Sequence, residues 1–138
     1  MIKAEQRFDE YAYRVSDEYL SDSVTTLEEG QWVTFNASGE LVVADGTVKA
    51  FLAIGSKRPG RDQVSGVPVK KIPFLHGAFR LATDQFDPTG TYTAVITPLK
   101  VMAGGILTPW ASATDSADKL VAYAKGAPVD GMLKIFSA

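Results

Sequence analysis

The chain has 138 residues, 46% hydrophobic and 22% charged, with no cysteine, one histidine and a formal net charge of −2. That length fits one domain able to bury roughly two-thirds of its unfolded surface, so no disulfide or metal staple is required. The absent cysteines exclude a disulfide framework, a thiolate nucleophile and any cysteine-based zinc site, and no run approaches the ~18 apolar residues of a membrane span.

The opening residues, Met1-Ile2-Lys3-Ala4-Glu5-Gln6-Arg7, hold no apolar stretch of signal-peptide type. A soluble protein made in a cytoplasm, without a membrane, is expected. Charge is unevenly spread. Residues 1–30 carry eight acids against Lys3, Arg7 and Arg14, whereas residues 31–138 carry eight acids against eleven bases. The acidic end is either a solvated tail or an arm that docks on a basic neighbour. No basic stripe is dense enough to suggest nucleic acid as the main partner.

Residues 1–26 are expected to form an extended N-terminal arm. Phe8, Tyr11, Tyr13 and Tyr19 sit there among acids with little aliphatic filling, as large contact anchors would. The alternation of Tyr11 and Tyr13 with Ala12 and Arg14 suits a short strand or arm; folding back onto the body is the alternative. A helical turn or two fits only at residues 16–26 and 114–119.

Residues 27–138 read as one all-β domain. Gln31-Trp32-Val33-Thr34-Phe35-Asn36 is a strand, Ala37-Ser38-Gly39-Glu40 a turn and Leu41-Val42-Val43-Ala44 its return. Asp45-Gly46 makes another tight turn. Residues 48–55 are almost wholly apolar, as in a strand buried on both faces, with Phe51, Leu52 and Ile54 expected in the central core. A polar loop with three bases follows, Lys57, Arg58 and Arg61. Residues 67–72 resume a strand that Pro68 and Pro73 confine to an edge or short pieces, and residues 78–82 form the next. Asp87-Pro88-Thr89-Gly90 is a turn leading into an alternating strand at 91–97. Gly104-Gly105 precedes a strand at 106–108, residues 115–118 form a loop, and strands at 120–124 and 132–136 flank the turn Val129-Asp130-Gly131. About eight or nine short strands at this spacing indicate a small antiparallel β-barrel or sandwich.

Chemistry is hard to assemble. His76 has no second histidine or cysteine to complete a metal or proton-transfer set, so a structural or surface role is expected. Counting leaves a carboxylate pair open, yet Asp84 and Asp87 flank a Pro-Gly turn where aspartate belongs for local hydrogen bonding. Asn36-Ala37-Ser38 fits a glycosylation sequon but falls on a hairpin turn, and Gly104-Gly105 lacks the lysine and hydroxyl of a phosphate loop. No nucleophile, base and orienting partner come together, so neither enzyme activity nor a cofactor is expected.

The spacing of turns and strands resembles that of the head-decoration proteins of tailed bacteriophages. The resemblance rests on Glu29-Gly30-Gln31-Trp32-Val33, Gly39-Glu40-Leu41-Val42-Val43-Ala44 and Lys49-Ala50-Phe51-Leu52-Ala53-Ile54-Gly55, then Gly77-Ala78-Phe79-Arg80-Leu81-Ala82-Thr83-Asp84-Gln85-Phe86-Asp87. It continues through residues 99–109, 120–124 and 130–135, covering 29–136 in all. It implies a β-rich structural protein on the outside of a virion that cements or stabilises capsomers. Its partners would be the major capsid protein and other copies of itself, as a trimer or a dimer. The expected protein-interaction residues are Phe8, Tyr11, Tyr13, Arg14, Tyr19, Lys57, Arg58 and Arg61. The alternatives are a head-completion or tail-associated β-barrel, and a small carbohydrate- or ligand-binding module in which Trp32, Trp110 and Tyr92 would stack sugars.

Overall fold

A computed structural model describes residues 1–4, 13–57 and 71–138. Among them are eleven strands: β1 (Ile2–Ala4), β2 (Tyr13–Tyr19), β3 (Trp32–Phe35), β4 (Leu41–Val43), β5 (Phe51–Ala53), β6 (Lys71–Gly77), β7 (Arg80–Thr83), β8 (Ile96–Met102), β9 (Ile106–Pro109), β10 (Ala122–Lys125) and β11 (Leu133–Ser137). The only helical element described is a single 3₁₀ turn at Ala117–Lys119. All ladders are antiparallel. One sheet runs β1-β7-β11-β10-β8-β9, the other β2-β6-β5-β3-β4. An isolated parallel bridge joins Leu20 to Leu41, so the five-stranded sheet curls until its two edges meet at one point. The protein is all-β, a barrel and a sandwich combined.

This curling makes β3, β5 and β6 a wall shared by two cores. Side chains alternate across a strand, so Trp32, Leu52 and Leu75 face the six-stranded sheet, where they pack with Leu81, Leu99, Leu107, Leu133 and Ile135. Val33, Ala53, Ile72 and Phe74 face into the curl, against Leu20, Val24, Leu27 and Leu41. The apolar run at 48–55 is buried on both faces only in part: Ala50, Leu52 and Ala53 are buried, Phe51, Ile54 and Gly55 half-buried, Val48 and Lys49 exposed, and only three of its residues are strand. Of the three side chains expected in the centre, Leu52 is fully buried, Phe51 is half-buried on the curl side and Ile54 is half-buried beside the inter-sheet core.

Several local expectations change for identifiable reasons. The segment before residue 27 is not set apart from the domain: β1 pairs with β7, and β2 pairs with β6 over seven residues. Residues 16–26 hold no helical turn but the end of β2 and a turn in which Val24 N donates to Ser21 O. Pro73 and Pro98 stand in interior strands, not at edges. Each carbonyl accepts from a residue just past the end of the neighbouring strand, Ile54 beyond β5 and Trp110 beyond β9. In a strand the N and O of one residue point to the same side, so the missing N–H faces a stretch where the ladder has already ended.

The alternation at 91–97 does not become a strand. Tyr92 is buried, its hydroxyl donates to Asp87 O at 2.7 Å, and Thr93 N donates to the Thr97 hydroxyl at 2.9 Å. Side-chain bonds of this kind compete with a ladder, and β8 starts only at Ile96. The turns follow expectation. Asn36 Oδ1 accepts from Ser38 N and Glu40 N, so the sequon asparagine is spent on its hairpin. Asp130 and Gly131 both have positive φ, 52° and 73°, as a mirror-type two-residue hairpin turn requires.

Candidate functional site

The strands of the six-stranded sheet carry five bases, Lys3, Arg80, Lys100, Lys125 and Lys134, and no acid. Register sets them on one side. Lys125 is opposite Ile96, Tyr123 opposite both Pro98 and Phe136, Phe136 opposite Arg80, and Lys134 opposite Ala82, which is itself opposite Lys3. Directly opposed residues share a face. The other face of these strands holds Leu81, Leu99, Ala122, Ala124, Leu133 and Ile135, all buried, so the basic positions belong to the outer face.

Across its middle runs an apolar strip. Tyr123 and Phe136 stack at 5.4 Å between centroids, 25° from parallel. They are half-buried, as is Pro98, and Ile96 is 49% exposed. Beyond the strand ends lie Val95 and Val129, 73% and 64% exposed; Gly126 N donates to Val95 O and brings these two loops to the same end of the sheet. Arg80, Lys125 and Lys134 are exposed around the strip. Aromatic and aliphatic surface ringed by polar groups is the composition of a protein interface.

Lys100 is paired with Asp115. Its Nζ lies 2.7 Å from Asp115 Oδ1, and this bond, with that from Ala111 N, holds the Asp115 carboxyl below its ordinary value of 3.8. A carboxyl depressed in the folded state stabilises fully above the unfolded value, and that contribution is lost as the pH falls through the folded value. Asp115→Asn is expected to melt below the wild type at pH 7, with the gap closing as the pH drops below 3.8. A gap unchanged between about pH 7 and about pH 2, followed by circular dichroism, would show that the ion pair contributes nothing.

A second feature is a groove of about 610 Å³ between the sheets, lined by Trp32, Leu75, Phe79 and Val101 and bordered by Lys49, His76, Asp118 and Lys119. Trp32 is 3% exposed, and among the described residues its buried indole nitrogen has no hydrogen-bond partner. His76 Nε2 lies 2.9 Å from the Ser16 hydroxyl. Among the described residues no group of three or more His, Asp or Glu side chains could hold a metal ion.

Among the described residues, the carboxyls with shifted pKa are all lowered. Threonine hydroxyls act on Asp45 and Asp87 and the Ser116 hydroxyl on Asp118; at Asp84 burial pushes upward, but bonds from the Met1 amine and Gln85 outweigh it. A glycoside-cleaving acid needs the opposite shift. Trp32 and Tyr92 are too buried to stack a sugar, and Trp110 gives its indole N–H to Ser116 O.

The interaction residues expected from the sequence fall only in part among the described residues. Phe8, Tyr11, Arg58 and Arg61 lie outside the described residues. Tyr13 and Arg14 begin β2, opposite Gly77 and His76, and Tyr19 ends it, 54% exposed with Lys71 Nζ 4.9 Å from its ring centroid. Lys57 forms a backbone bridge with Leu27, and its Nζ donates to Val24 O at 2.9 Å. Arg80, Tyr123, Lys125, Lys134 and Phe136 were missed as a set. The readable signal was that every acid lies between these strands and none within them. No family model, curated protein or solved structure matches the chain.

Proposed function

We propose that this chain is a structural protein of a tailed bacteriophage that attaches to the outer surface of the capsid and holds neighbouring capsomers together. The observation that carries the reading is the outer face of the six-stranded sheet, an apolar strip of Ile96, Pro98, Tyr123 and Phe136 flanked by Arg80, Lys125 and Lys134. Such a face suits a large, acidic protein surface rather than a small substrate. The resemblance of residues 29–136 to head-decoration proteins supplies the identity of that surface, the major capsid protein. A clamp of this kind needs no catalytic group, only area and complementary charge.

The test is occupancy of expanded capsids by wild type and by the double reversal Lys125→Glu/Lys134→Glu. The variant is expected to bind about tenfold more weakly, most clearly at low salt where screening is least. A wild type that ignores capsids, or a double reversal that binds equally well, would overturn the reading. The groove beside Trp32 favours a second reading, a small-ligand module, because a buried indole N–H without an acceptor is costly. Calorimetry against apolar ligands bearing a carbonyl separates it from the first.

A further inference from the structure

We propose that β2 is the interface of a two-fold dimer, pairing antiparallel with β2 of a second copy about Ser16. The edges of the two sheets differ. β1 and β4 have three residues each, too short to template much pairing. The outer edge of β9 is engaged by residues 85–87, just after β7, through Leu107 N to Gln85 O and Asp87 N to Leu107 O. β2 has seven residues, Tyr13-Arg14-Val15-Ser16-Asp17-Glu18-Tyr19. Its inner side is laddered to β6 throughout. On its outer side β4 runs parallel and meets it only past its end, at Leu20 and Leu41. Among the described residues, no strand lies alongside 13–19 there.

Long open edges invite a partner strand and are usually blunted by proline, bulges or unmatched charge. β2 has neither of the first two, and its charges match themselves. With Ser16 on the two-fold axis, antiparallel pairing sets Tyr13 opposite Tyr19, Arg14 opposite Glu18 and Val15 opposite Asp17, each pair occurring twice. An arginine position meets a glutamate position at both ends, and a tyrosine meets a tyrosine. Moving the axis to Asp17 sets the two Asp17 residues opposite each other, and moving it to Val15 sets Arg14 opposite Ser16. Either shift loses the Arg-Glu match. Self-complementarity across an axis is the requirement of an isologous interface, and cross-strand aromatic and opposite-charge pairs are the units that stabilise it. The exposed surface fits the same picture: Val15 and Tyr19 are 49% and 54% exposed on one face of the strand. The occupant is therefore a second copy of this chain. The inference does not depend on the capsid reading, because it concerns the free protein.

The decisive experiment is a charge swap read by sedimentation equilibrium. Wild type is expected to dimerise. Arg14→Glu and Glu18→Arg should each weaken the dimer about tenfold or more, because each creates two like-charge pairs. The double variant Arg14→Glu/Glu18→Arg should restore it. The chain has no cysteine, so Ser16→Cys supplies a unique probe. Opposed residues of an antiparallel pair lie about 4.5–5.5 Å apart, within disulfide reach, whereas two copies of Tyr19→Cys would sit about 20 Å apart by the rise of a strand. Oxidation should cross-link the first variant and not the second. A monomeric or trimeric wild type, single swaps that dimerise normally, a double swap that fails to recover, or equal cross-linking at both positions would each overturn the proposal. Near-ultraviolet dichroism of every variant shows that loss of the dimer is not loss of the fold.

Discussion

Truncating Leu52 to alanine is expected to cost about 2–5 kcal/mol of folding stability. Leu52 is fully buried, opposite Trp32 on β3 and Leu75 on β6, and faces the core between the two sheets. Its strand is part of the shared wall, so the space left by its side chain has a ladder on either flank and a packed sheet in front. None of these collapses readily, which places the cost in the upper half of the range. Its neighbour Phe51 points the other way, into a cluster with Phe35 and Phe74 at centroid distances of 5.8 and 5.3 Å, and Phe35 is 39% exposed. Phe51→Ala should therefore cost less than its size suggests, since its surroundings open to water. Urea unfolding of both variants checks the pair. A loss below about 1 kcal/mol for Leu52→Ala would mean that β5 does not separate two cores.

What could be read in advance followed from local chemistry. The hairpin at residues 36–40, the turn at Asp87–Gly90 and the tight turn at Asp130-Gly131 each depend on residues that make their own bonds or tolerate positive φ, and each is where the spacing placed it. Strands flanked by such turns were legible too. What stayed hidden depends on contacts far apart in sequence. Residues 91–97, which alternate well, are the exception of short range: the hydroxyl of Tyr92 reaches Asp87 O, five residues back, and Thr93 N bonds the Thr97 hydroxyl, in place of a ladder. Pro98 looks forbidding until the end of β9 is known. The acidic, aromatic beginning of the chain resembled an arm because its partners, β6 and β7, lie more than 50 residues away. Of the basic outer face, only the lack of acids within its strands was legible, and its assembly was hidden for the same reason. Its residues are scattered from 80 to 136, one or two per strand, and only the order β7-β11-β10-β8 makes them neighbours.

Replacing Gly46 with alanine should be among the most damaging single changes in the protein, at about 3 kcal/mol or more. Two costs combine there. Gly46 has φ +91°, a conformation that side chains rarely adopt, and a methyl group would sit 2.3 Å from the carbonyl oxygen of Val101. That carbonyl belongs to β8, which is held on both sides by β10 and β9, so the obstacle is backbone in the middle of a sheet and cannot swing aside. Gly104 separates the two contributions. It has nearly the same φ, +90°, but nothing lies within 4 Å of the position its methyl group would take. Gly104→Ala should therefore show the conformational strain alone, about 1–2 kcal/mol. The difference between the two variants in urea unfolding measures how firmly the Asp45-Gly46 turn is seated against β8. That seating matters for the basic face. Val101 points inward from the same strand on which Ile96, Pro98 and Lys100 point outward, so displacing β8 to admit a methyl group would disturb the outer face as well. If the proposed capsid attachment holds, Gly46→Ala should lower capsid occupancy in proportion to its effect on β8, whereas Gly104→Ala should leave occupancy unchanged at temperatures where it remains folded. Equal stability losses in the two variants would show that the close approach to Val101 does not exist in solution.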